Sequence, residues 1–384
     1  MSRRLFDETH DDFRQSFRAF VRAEIVPHHD RWEEAGRVDK EMFRAAGDQG
    51  FLGMAVPEAY GGLGADDFRF HVVIIEELQR ANVIGSGMCI TLHNDVVLPY
   101  LLGAADEEQK RRWLPGFVSG ETMGAIAMTE PGAGSDLAAV RTSAVRDGDD
   151  YVVNGAKTFI TNGLNSDLVL TVVRTDPTEP HRGLSLLAVE DGTPGFERGR
   201  HLDKIGLRSQ DTAELSFSDA RVPAANLLGE PGSGFGTLMA NLAQERLSLA
   251  VSGVAAARVA LDWTLDYCRE REAFGQPLTG FQNTKFVLAE LSTAVDVTQV
   301  YVDDLVERHL RGEIDGVDAA KGKWWATELQ KRVVDQCLQL HGGYGFMREY
   351  PIARAYLDTR IQTIYGGTTE IMKEIIGRTL GAAS

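Results

Sequence analysis

Hydrophobic positions recur at helical spacing along the first ~120 residues. Phe13, Phe17, Val21 and Ile25 fall three or four positions apart, and Pro27 follows where a helix would stop. Three more helices are predicted at 40–49, at 70–81 and from the acidic run at 106–108, where carboxylates suit a first turn. This part of the chain is therefore predicted to be all-helical.

The pattern changes after Gly120 to short β-type runs. They occupy 142–146, 151–154, 157–160, 167–174, 184–190 and 213–218. Asp147-Gly148 and Asn154-Gly155 are strong hairpin signals. Strands without intervening helices predict a small antiparallel barrel or sandwich.

The helical period returns after Pro223. Val254, Ala257, Leu261 and Cys268 share one face of a long helix, and helical patterning continues at 281–295 and 324–340. Helices, then strands, then helices indicate segregated domains and not an alternating parallel sheet. The predicted fold class is α+β, mainly α, with an N-terminal helical domain (1–122), a middle antiparallel β-barrel domain (123–228) and a C-terminal four-helix bundle (229–384).

Composition narrows the classes of function. A formal charge of −16 over 384 residues argues against nucleic-acid binding, so any phosphate-bearing ligand must be met by locally placed Lys and Arg. Cys89, Cys268 and Cys337 stand far apart, which suggests neither disulfides nor a metal site. The N-terminus shows no apolar signal region, and no segment approaches the roughly 18 apolar residues of a membrane span. A cytoplasmic protein without integral membrane association is expected.

Several enzyme motifs are missing from the sequence. The glycines at 132 and 134 are followed by Leu137 where a dinucleotide fingerprint requires a third glycine. The chain has no P-loop, no G-x-S-x-G elbow and no H-E-x-x-H. Those NTPase, hydrolase and metalloprotease classes therefore lose their support.

Two segments of the β part could hold a flat ring. In the run AMTEPGAGSD, the glycines let backbone approach a ligand, and Thr129 and Ser135 could bond to ring edges or phosphate. In FITNG, Phe159 could stack on the ring and Thr161 could bond to it. Taken one at a time, a plain turn and a core phenylalanine explain the same residues.

A carboxylate stands in an apolar helical stretch at Glu245. Leu238, Leu242 and Leu249 leave much of this helix apolar, which favours partial burial of Glu245. Burial raises a carboxylate pKa toward the range of a general base, whereas the neighbouring Arg246 lowers it. Residue types alone do not decide between these opposing effects, and an exposed helix-face glutamate is the alternative.

Three later segments could serve phosphate or a polar ring. The run REREAFG, ahead of Gln282, offers guanidinium groups for a pyrophosphate, with a solvated helix end as the alternative. The run QLHGGYG places glycines after a helix, which is destabilising unless backbone must approach something closely. The run IYGGTTE precedes a helix at 371–380 whose N-terminal N–H groups would favour an anion.

Together, MTEPGAGSD, FITNG, REAFG, QLHGGYG and IYGGTTEI occur in the order and spacing of the acyl-CoA dehydrogenase family, which the chain resembles over nearly its whole length. The resemblance implies an FAD-dependent oxidoreductase of fatty acid β-oxidation, assembled as a homotetramer. It implies that a base removes the α proton of a saturated acyl-CoA while the flavin accepts the β hydride. The product is then a trans-2-enoyl-CoA, and electrons pass to an electron-transferring flavoprotein.

The resemblance also assigns roles to residues at matching positions. The flavin cradle is expected at Ile126, Met128, Thr129, Gly134, Ser135, Phe159, Ile160 and Thr161. The FAD pyrophosphate and adenosine of a neighbouring subunit are expected at Arg271, Gln282, Gln339, Leu340, His341, Gly342 and Gly343. Thr368 and Glu370 match the remaining FAD contacts, and Ser135, Gln244, Arg246 and Gly367 are expected at the substrate. The active site would then need the oligomer.

Gly366 is a departure from the family pattern. Most members carry their base in a Tyr-Glu-Gly-Thr run, and a glycine cannot abstract a proton. The long-chain and isovaleryl types carry it on the helix that here contains Gln-Glu-Arg, which makes Glu245 the expected base. Two carboxylates in one dry pocket would raise each other's pKa, so an either-or arrangement is physically reasonable. The Gly366 N–H is expected to bond the thioester carbonyl.

The segments 244–247 and 364–380 look closer to the long-chain than to the isovaleryl type, so a medium- to long-chain fatty acyl-CoA is the expected substrate. Three alternatives stay open at this point. They are an isovaleryl-type branched-chain dehydrogenase, an oxygen-using acyl-CoA oxidase or flavin monooxygenase of the same fold, and a non-catalytic relative that binds acyl-CoA and FAD.

Overall fold

The N-terminal part is helical, as predicted. The structure is a computed structural model that describes residues 3–180 and 182–381. Its first helices are α1 (Glu8–Phe20), α2 (His29–Ala35), α3 (Lys40–Asp48), α4 (Phe68–Arg80), α5 (Ile84–Thr91), α6 (Leu98–Ala104) and α7 (Glu107–Ser119). Helix α1 begins earlier than the hydrophobic pattern indicates, because the Asp7 carboxylate caps it by accepting from the Thr9 and His10 N–H groups. Asp106 caps α7 in the same way.

The middle part forms one eight-stranded sheet. The strands are β1 (Gly124–Ala127), β2 (Ser143–Asp147), β3 (Asp150–Thr161), β4 (Leu168–Arg174), β5 (Leu184–Glu190), β6 (Phe196–His201), β7 (Thr212–Pro223) and β8 (Leu227–Leu228). They are ordered β6-β7-β3-β2-β4-β5-β8, with β1 beside β4. The sheet is antiparallel except that β1 and the start of β2 run parallel to β4. The β2–β3 hairpin lies between β1 and β4 in the sequence. It connects them in a way that leaves β4 parallel to β1.

The predicted hairpin at Asn154-Gly155 is wrong. Both residues lie inside β3, where the pairing with β7 shifts register. A Cβ on Gly155 would lie 2.5 Å from the Thr142 Oγ1, and Asn154 bonds through its side chain to Asp219 at 2.9 Å. The glycine therefore serves a β-bulge with close backbone approach and not a turn. The Asp147-Gly148 hairpin is confirmed, since β2 and β3 pair across it.

Long helices form the C-terminal part. They are α8 (Gly234–Glu270), α9 (Gln282–Leu310), α10 (Gly316–His341), α11 (Pro351–Thr359) and α12 (Thr369–Gly381), with a short hairpin of β9 (Glu272–Ala273) and β10 (Gln276–Pro277) after α8. Val254, Ala257, Leu261 and Cys268 are buried on α8, as their spacing predicts. The same core includes apolar residues of α4, so α8 lies where the two helical domains meet. No helix among the described residues is both long enough and apolar enough to span a membrane.

Candidate active site

The carboxylate of Glu245 points inward from α8 to α6. The Tyr100 hydroxyl donates a hydrogen bond to Glu245 Oε1 at 2.7 Å, and the Tyr100 side chain is fully buried. Burial raises the pKa of Glu245 to about 7, although the Tyr100 bond and the Arg246 charge act in the opposite direction. Burial therefore outweighs the neighbouring cation. A carboxylate with this pKa is partly ionised near neutrality, which suits a general base.

The turn that holds Gly366 and Gly367 packs against this glutamate's helix. Arg246 Nε donates to the Gly366 carbonyl at 3.5 Å, and the buried Lys323 of α10 donates to the Gly367 carbonyl at 2.6 Å. Burial lowers the pKa of Lys323 to about 8. Tyr100, Glu245, Arg246, Gly366 and Gly367 are called the base pocket below.

Both residues of the turn require glycine. Gly366 has φ +63°, and a Cβ there would lie 2.4 Å from the Leu249 Cδ1. Gly367 has φ +96°, and its Cβ would lie 2.4 Å from the Met372 Cε. Positive φ disfavours residues that carry a Cβ. A side chain at position 366 would therefore need a strained backbone and a shift of Leu249.

A cavity of about 450 Å³ lies beside the base pocket. Gln244 lines it, and the Gln244 side chain donates to the Asp95 carbonyl at 3.0 Å. Other walls come from α4, α6 and the end of α9, namely Phe68, His71, Leu98, Pro99, Leu102, Gly103, His309 and Leu310. The walls are apolar at α6, whereas Asp66, His71, Asn94 and His309 make much of the remaining lining polar.

A buried ion pair fixes the loop between β1 and β2. Lys157 Nζ lies 2.8 Å from Glu130 Oε1 and donates to the Met128 carbonyl at 3.2 Å. The two carboxylate oxygens of Glu130 also accept from the N–H groups of Arg141 and Thr142 at 2.8 and 2.9 Å. The loop is thereby held against β3. The sequence reasoning did not single out either charged residue.

The expected flavin residues lie along this loop and the end of β3. Thr158 N–H donates to the Thr129 carbonyl at 2.9 Å, which brings the two segments together. Phe159 is 67% exposed and has φ +59°, an unfavourable conformation for an aromatic residue. Ile160 is buried in the core of the sheet and can offer only its main chain. Gly134 and Ser135 are exposed, with open space where a Gly134 Cβ would stand.

An exposed aromatic ring and an open glycine loop suit a flat cofactor such as the flavin of FAD. Met128 and Thr129 are half-buried and directly follow Ala127, the last residue of β1, which also contains Ile126. Thr161, also half-buried, ends β3. The Thr158–Thr129 bond thus brings together the two segments that carry the cradle residues expected in the β domain.

A second cleft, of about 550 Å³, opens at the end of α10. It is lined by Tyr267, Arg271, Leu278, Gln339, Leu340, His341, Gly342, Gly343, Tyr344 and Met347, and is called the α10 cleft below. Tyr267 stacks on His341 at 4.3 Å, and the Arg271 guanidinium lies 5.5 Å from the Tyr344 ring centre. The expected residues Arg271 and 339–343 meet here. Gln282 does not line the cleft and is exposed at the start of α9.

Thr368 and Glu370 lie at the start of α12. The Thr368 hydroxyl accepts from the Ile371 N–H at 3.3 Å, which caps the helix. Main-chain and Thr368 hydrogen bonds hold the pKa of the exposed Glu370 below its usual range. Both residues follow directly on the glycine turn of the base pocket.

Comparison with known proteins gives matches over the full length. Family models match residues 7–121 as the acyl-CoA dehydrogenase N-terminal domain, 125–220 as the middle domain and 232–381 as the C-terminal domain. The mitochondrial long-chain specific acyl-CoA dehydrogenase of Sus scrofa is 48% identical over 378 residues, which cover 98% of this chain and 87% of that protein.

Solved structures agree with these matches. A crystal structure of an acyl-CoA dehydrogenase from Geobacillus kaustophilus is 50% identical, with a TM-score of 0.96 and coverage of 99% of this chain and 100% of that one. A glutaryl-CoA dehydrogenase from Mycobacterium smegmatis, solved in complex with FADH2, is 28% identical, with a TM-score of 0.91 and coverage of 98% and 96%.

The helical, β and helical domains, with an inward glutamate on the helix where the two helical domains meet, define an oxidoreductase of the acyl-CoA dehydrogenase fold. The sequence matches extend over all three domains. The chain belongs to the acyl-CoA dehydrogenase family.

Proposed function

We propose that the protein catalyses FAD-dependent α,β-dehydrogenation of a saturated medium- to long-chain acyl-CoA to the trans-2-enoyl-CoA, with Glu245 as the base. The observation that carries this proposal is the inward Glu245 carboxylate, bonded to Tyr100 and with a pKa of about 7, near a glycine turn that supplies no second carboxylate. The long-chain name of the Sus scrofa relative supports the substrate class.

Two groups of the base pocket have separate roles in the reaction. Glu245 removes the α proton of the thioester, and the Gly366 N–H bonds the thioester carbonyl as negative charge develops there. Neither group suffices alone, because an α hydrogen is only weakly acidic and one positioned base contributes about 10²–10⁴-fold. When bound, FAD supplies the two-electron oxidising power. Arg246 and Lys323 hold the glycine turn through its carbonyls, so its N–H groups keep their direction.

The residues expected at FAD fit the parts of that cofactor. Phe159, Thr161 and the 126–135 segment would hold the flavin, with Thr368 and Glu370 near it. Arg271 is a cation for the pyrophosphate, and the glycines at 342 and 343 let backbone approach the adenosine. The glutaryl-CoA dehydrogenase relative solved with FADH2 supports this assignment.

The residues expected at the flavin and those expected at the adenosine of FAD lie in separate regions of the chain, which favours an assembly of more than one chain. The α10 cleft opens outward, and the exposed Phe274 and Phe346 lie on the segments that follow α8 and α10. We propose that the cleft holds the adenosine end of a neighbouring subunit's FAD in a homotetramer. Electrons would then leave to an electron-transferring flavoprotein.

Anaerobic titration of the purified yellow protein with saturated acyl-CoAs, from butyryl to stearoyl and including isovaleryl, tests the proposal. We expect medium- and long-chain thioesters to bleach the oxidised flavin. A flavin that stays oxidised with every thioester would contradict the proposed function. Rapid reoxidation by air with release of peroxide would instead indicate an oxidase.

A further inference from the structure

Tyr100 connects the N-terminal helical domain to the base. It lies on α6, 145 positions before Glu245 in the sequence, and its fully buried hydroxyl reaches Oε1 of the carboxylate at 2.7 Å. Burial and the Glu245 charge raise the pKa of Tyr100, so its hydroxyl keeps its proton and acts as the donor. Oε2 is thereby left to receive a proton from a substrate carbon.

We propose that Tyr100 is a positioning residue of this site: its hydroxyl aims the Glu245 carboxylate and stabilises the ionised form, and so sets the pH range in which the base works. This inference rests on the proposed function. It extends it, because neither the family motifs nor the Gln-Glu-Arg segment assigns a role to α6.

The surroundings of Glu245 leave this role to Tyr100. Arg246 directs its Nε to the Gly366 carbonyl. It therefore acts on Glu245 through its charge and not through a hydrogen bond. Lys323 of α10 bonds to the Gly367 carbonyl, and Tyr365 precedes the same turn. Among the side chains of residues 3–180 and 182–381, Tyr100 is therefore the hydrogen-bond donor to this carboxylate.

The sign of the expected effect follows from the bond. A donor to a carboxylate favours the charged form, so Tyr100→Phe raises the pKa of Glu245 above about 7. A hydrogen bond to a charged group is strong enough that its loss should raise the pKa of Glu245 by about one to two pH units. The base works when ionised, so flavin reduction should fall about 10-fold or more below the new pKa and recover at higher pH.

The test is the pH profile of flavin reduction by an acyl-CoA in the holoenzyme, from about pH 6 to about pH 9. Tyr60→Phe is the matched control, since the Tyr60 hydroxyl also donates to a glutamate at 2.7 Å but on the surface, to Glu107. We expect the Tyr100→Phe profile to move to higher pH and the control to follow the wild type. A loss by the same factor at every pH would overturn the proposal, because a merely misplaced base gives that result.

An infrared titration measures the pKa of Glu245 without turnover. The carboxyl stretch of Glu245 is assigned by its absence in Glu245→Gln. The titration should show Glu245 ionising at higher pH in Tyr100→Phe, and an unchanged midpoint would overturn the inference. If the wild type is reduced by no acyl-CoA, the proposed function fails while this titration still tests Tyr100. Should Tyr100→Phe fail to fold, 3-fluorotyrosine at position 100 keeps the shape with a stronger donor and should lower the midpoint.

Discussion

The base pocket and the α10 cleft differ in how completely one chain builds them. In the base pocket, Glu245 is bonded to Tyr100, and the glycine turn is bonded to Arg246 and Lys323. In the α10 cleft, the Arg271 guanidinium contacts an aromatic ring and makes no ion pair among the described residues, and the glycines at 342 and 343 face open space. The first region is organised by the chain itself, and the second offers unused binding groups.

This difference separates chemistry from cofactor retention. Groups already bonded within one chain are preorganised for a reaction, because they need no reorientation when charge develops. Groups that stand in an open cleft are suited to capture a ligand. Changes in the base pocket should therefore alter the rate of flavin reduction, and changes in the α10 cleft should alter FAD affinity.

The largest effect is expected for Glu245→Gln. Flavin reduction should fall about 10²–10⁴-fold while FAD and acyl-CoA still bind, because the amide keeps the shape but cannot accept the proton. Burial raises the pKa of Glu245 above its unfolded value, so this group's contribution to stability is lost as pH rises through about 7. The variant should thus be no less stable than the wild type at alkaline pH. Glu307→Gln, on the exposed face of α9, is the control and should change neither quantity.

Next in size is Gly366→Glu. The positive φ and the clash with Leu249 should cost about 2–4 kcal/mol of unfolding free energy, measured by denaturant or thermal unfolding. Combined with Glu245→Gln, it should not restore activity, because the positive φ and the Leu249 contact disfavour a well-placed carboxylate at this position. Gly377→Glu, at an open position of α12, should leave stability within about 0.5 kcal/mol of the wild type. A double variant that reduces flavin well would show that the turn can accept a base after all.

The cleft is tested by Arg271→Gln. Losing one charge-assisted hydrogen bond to a pyrophosphate should weaken FAD binding about 10- to 100-fold, measured by titration of the apoprotein. The reduction rate at full FAD loading should stay within about two-fold of the wild type. Arg269→Gln is the control, since Arg269 is two residues earlier and is paired with Asp266 at 3.1 Å. A slow but tightly loaded Arg271 variant would contradict the separation of the two regions.

The smallest effect is expected for Phe159→Gly. Loss of the stacked ring should weaken FAD binding by about 1 kcal/mol. The apoprotein should be as stable as the wild type or more so, because glycine adopts φ +59° without strain. Phe159→Ala removes the ring but keeps the strained Cβ, so it should bind FAD as weakly without gaining stability. Unchanged FAD affinity in both variants would remove Phe159 from the flavin site.

The periodic parts of the fold were predictable from sequence, and the helix that carries Tyr100 was not. Helices α1, α3, α4 and α8 have polar and apolar faces, which give a clear period. The segment 84–104 is buried on nearly all sides, so it has no contrasting face to signal a helix. Tyr100 therefore had no motif and no periodic context, and its partner lies 145 residues away.

The site shows a similar division. The glycine-rich runs and Glu245 are local signals, and the direction of the Glu245 side chain is not, because it depends on packing between α6 and α8. Lys157 gave one usable signal, a lysine among the inward-facing residues of β3, where an unpaired charge would be costly. Asn154-Gly155 gave a misleading one, since the glycine is required by the close approach of Thr142.

The most direct test of Glu245 as the base follows the α hydrogen itself. Under anaerobic conditions, the holoenzyme is incubated in water with an acyl-CoA deuterated at C2, and loss of deuterium is measured by mass spectrometry. We expect the wild type to wash the label out and Glu245→Gln to do so at least about 100-fold more slowly, with FAD and acyl-CoA bound to both. Washout at the wild-type rate in Glu245→Gln would contradict the assignment of the base.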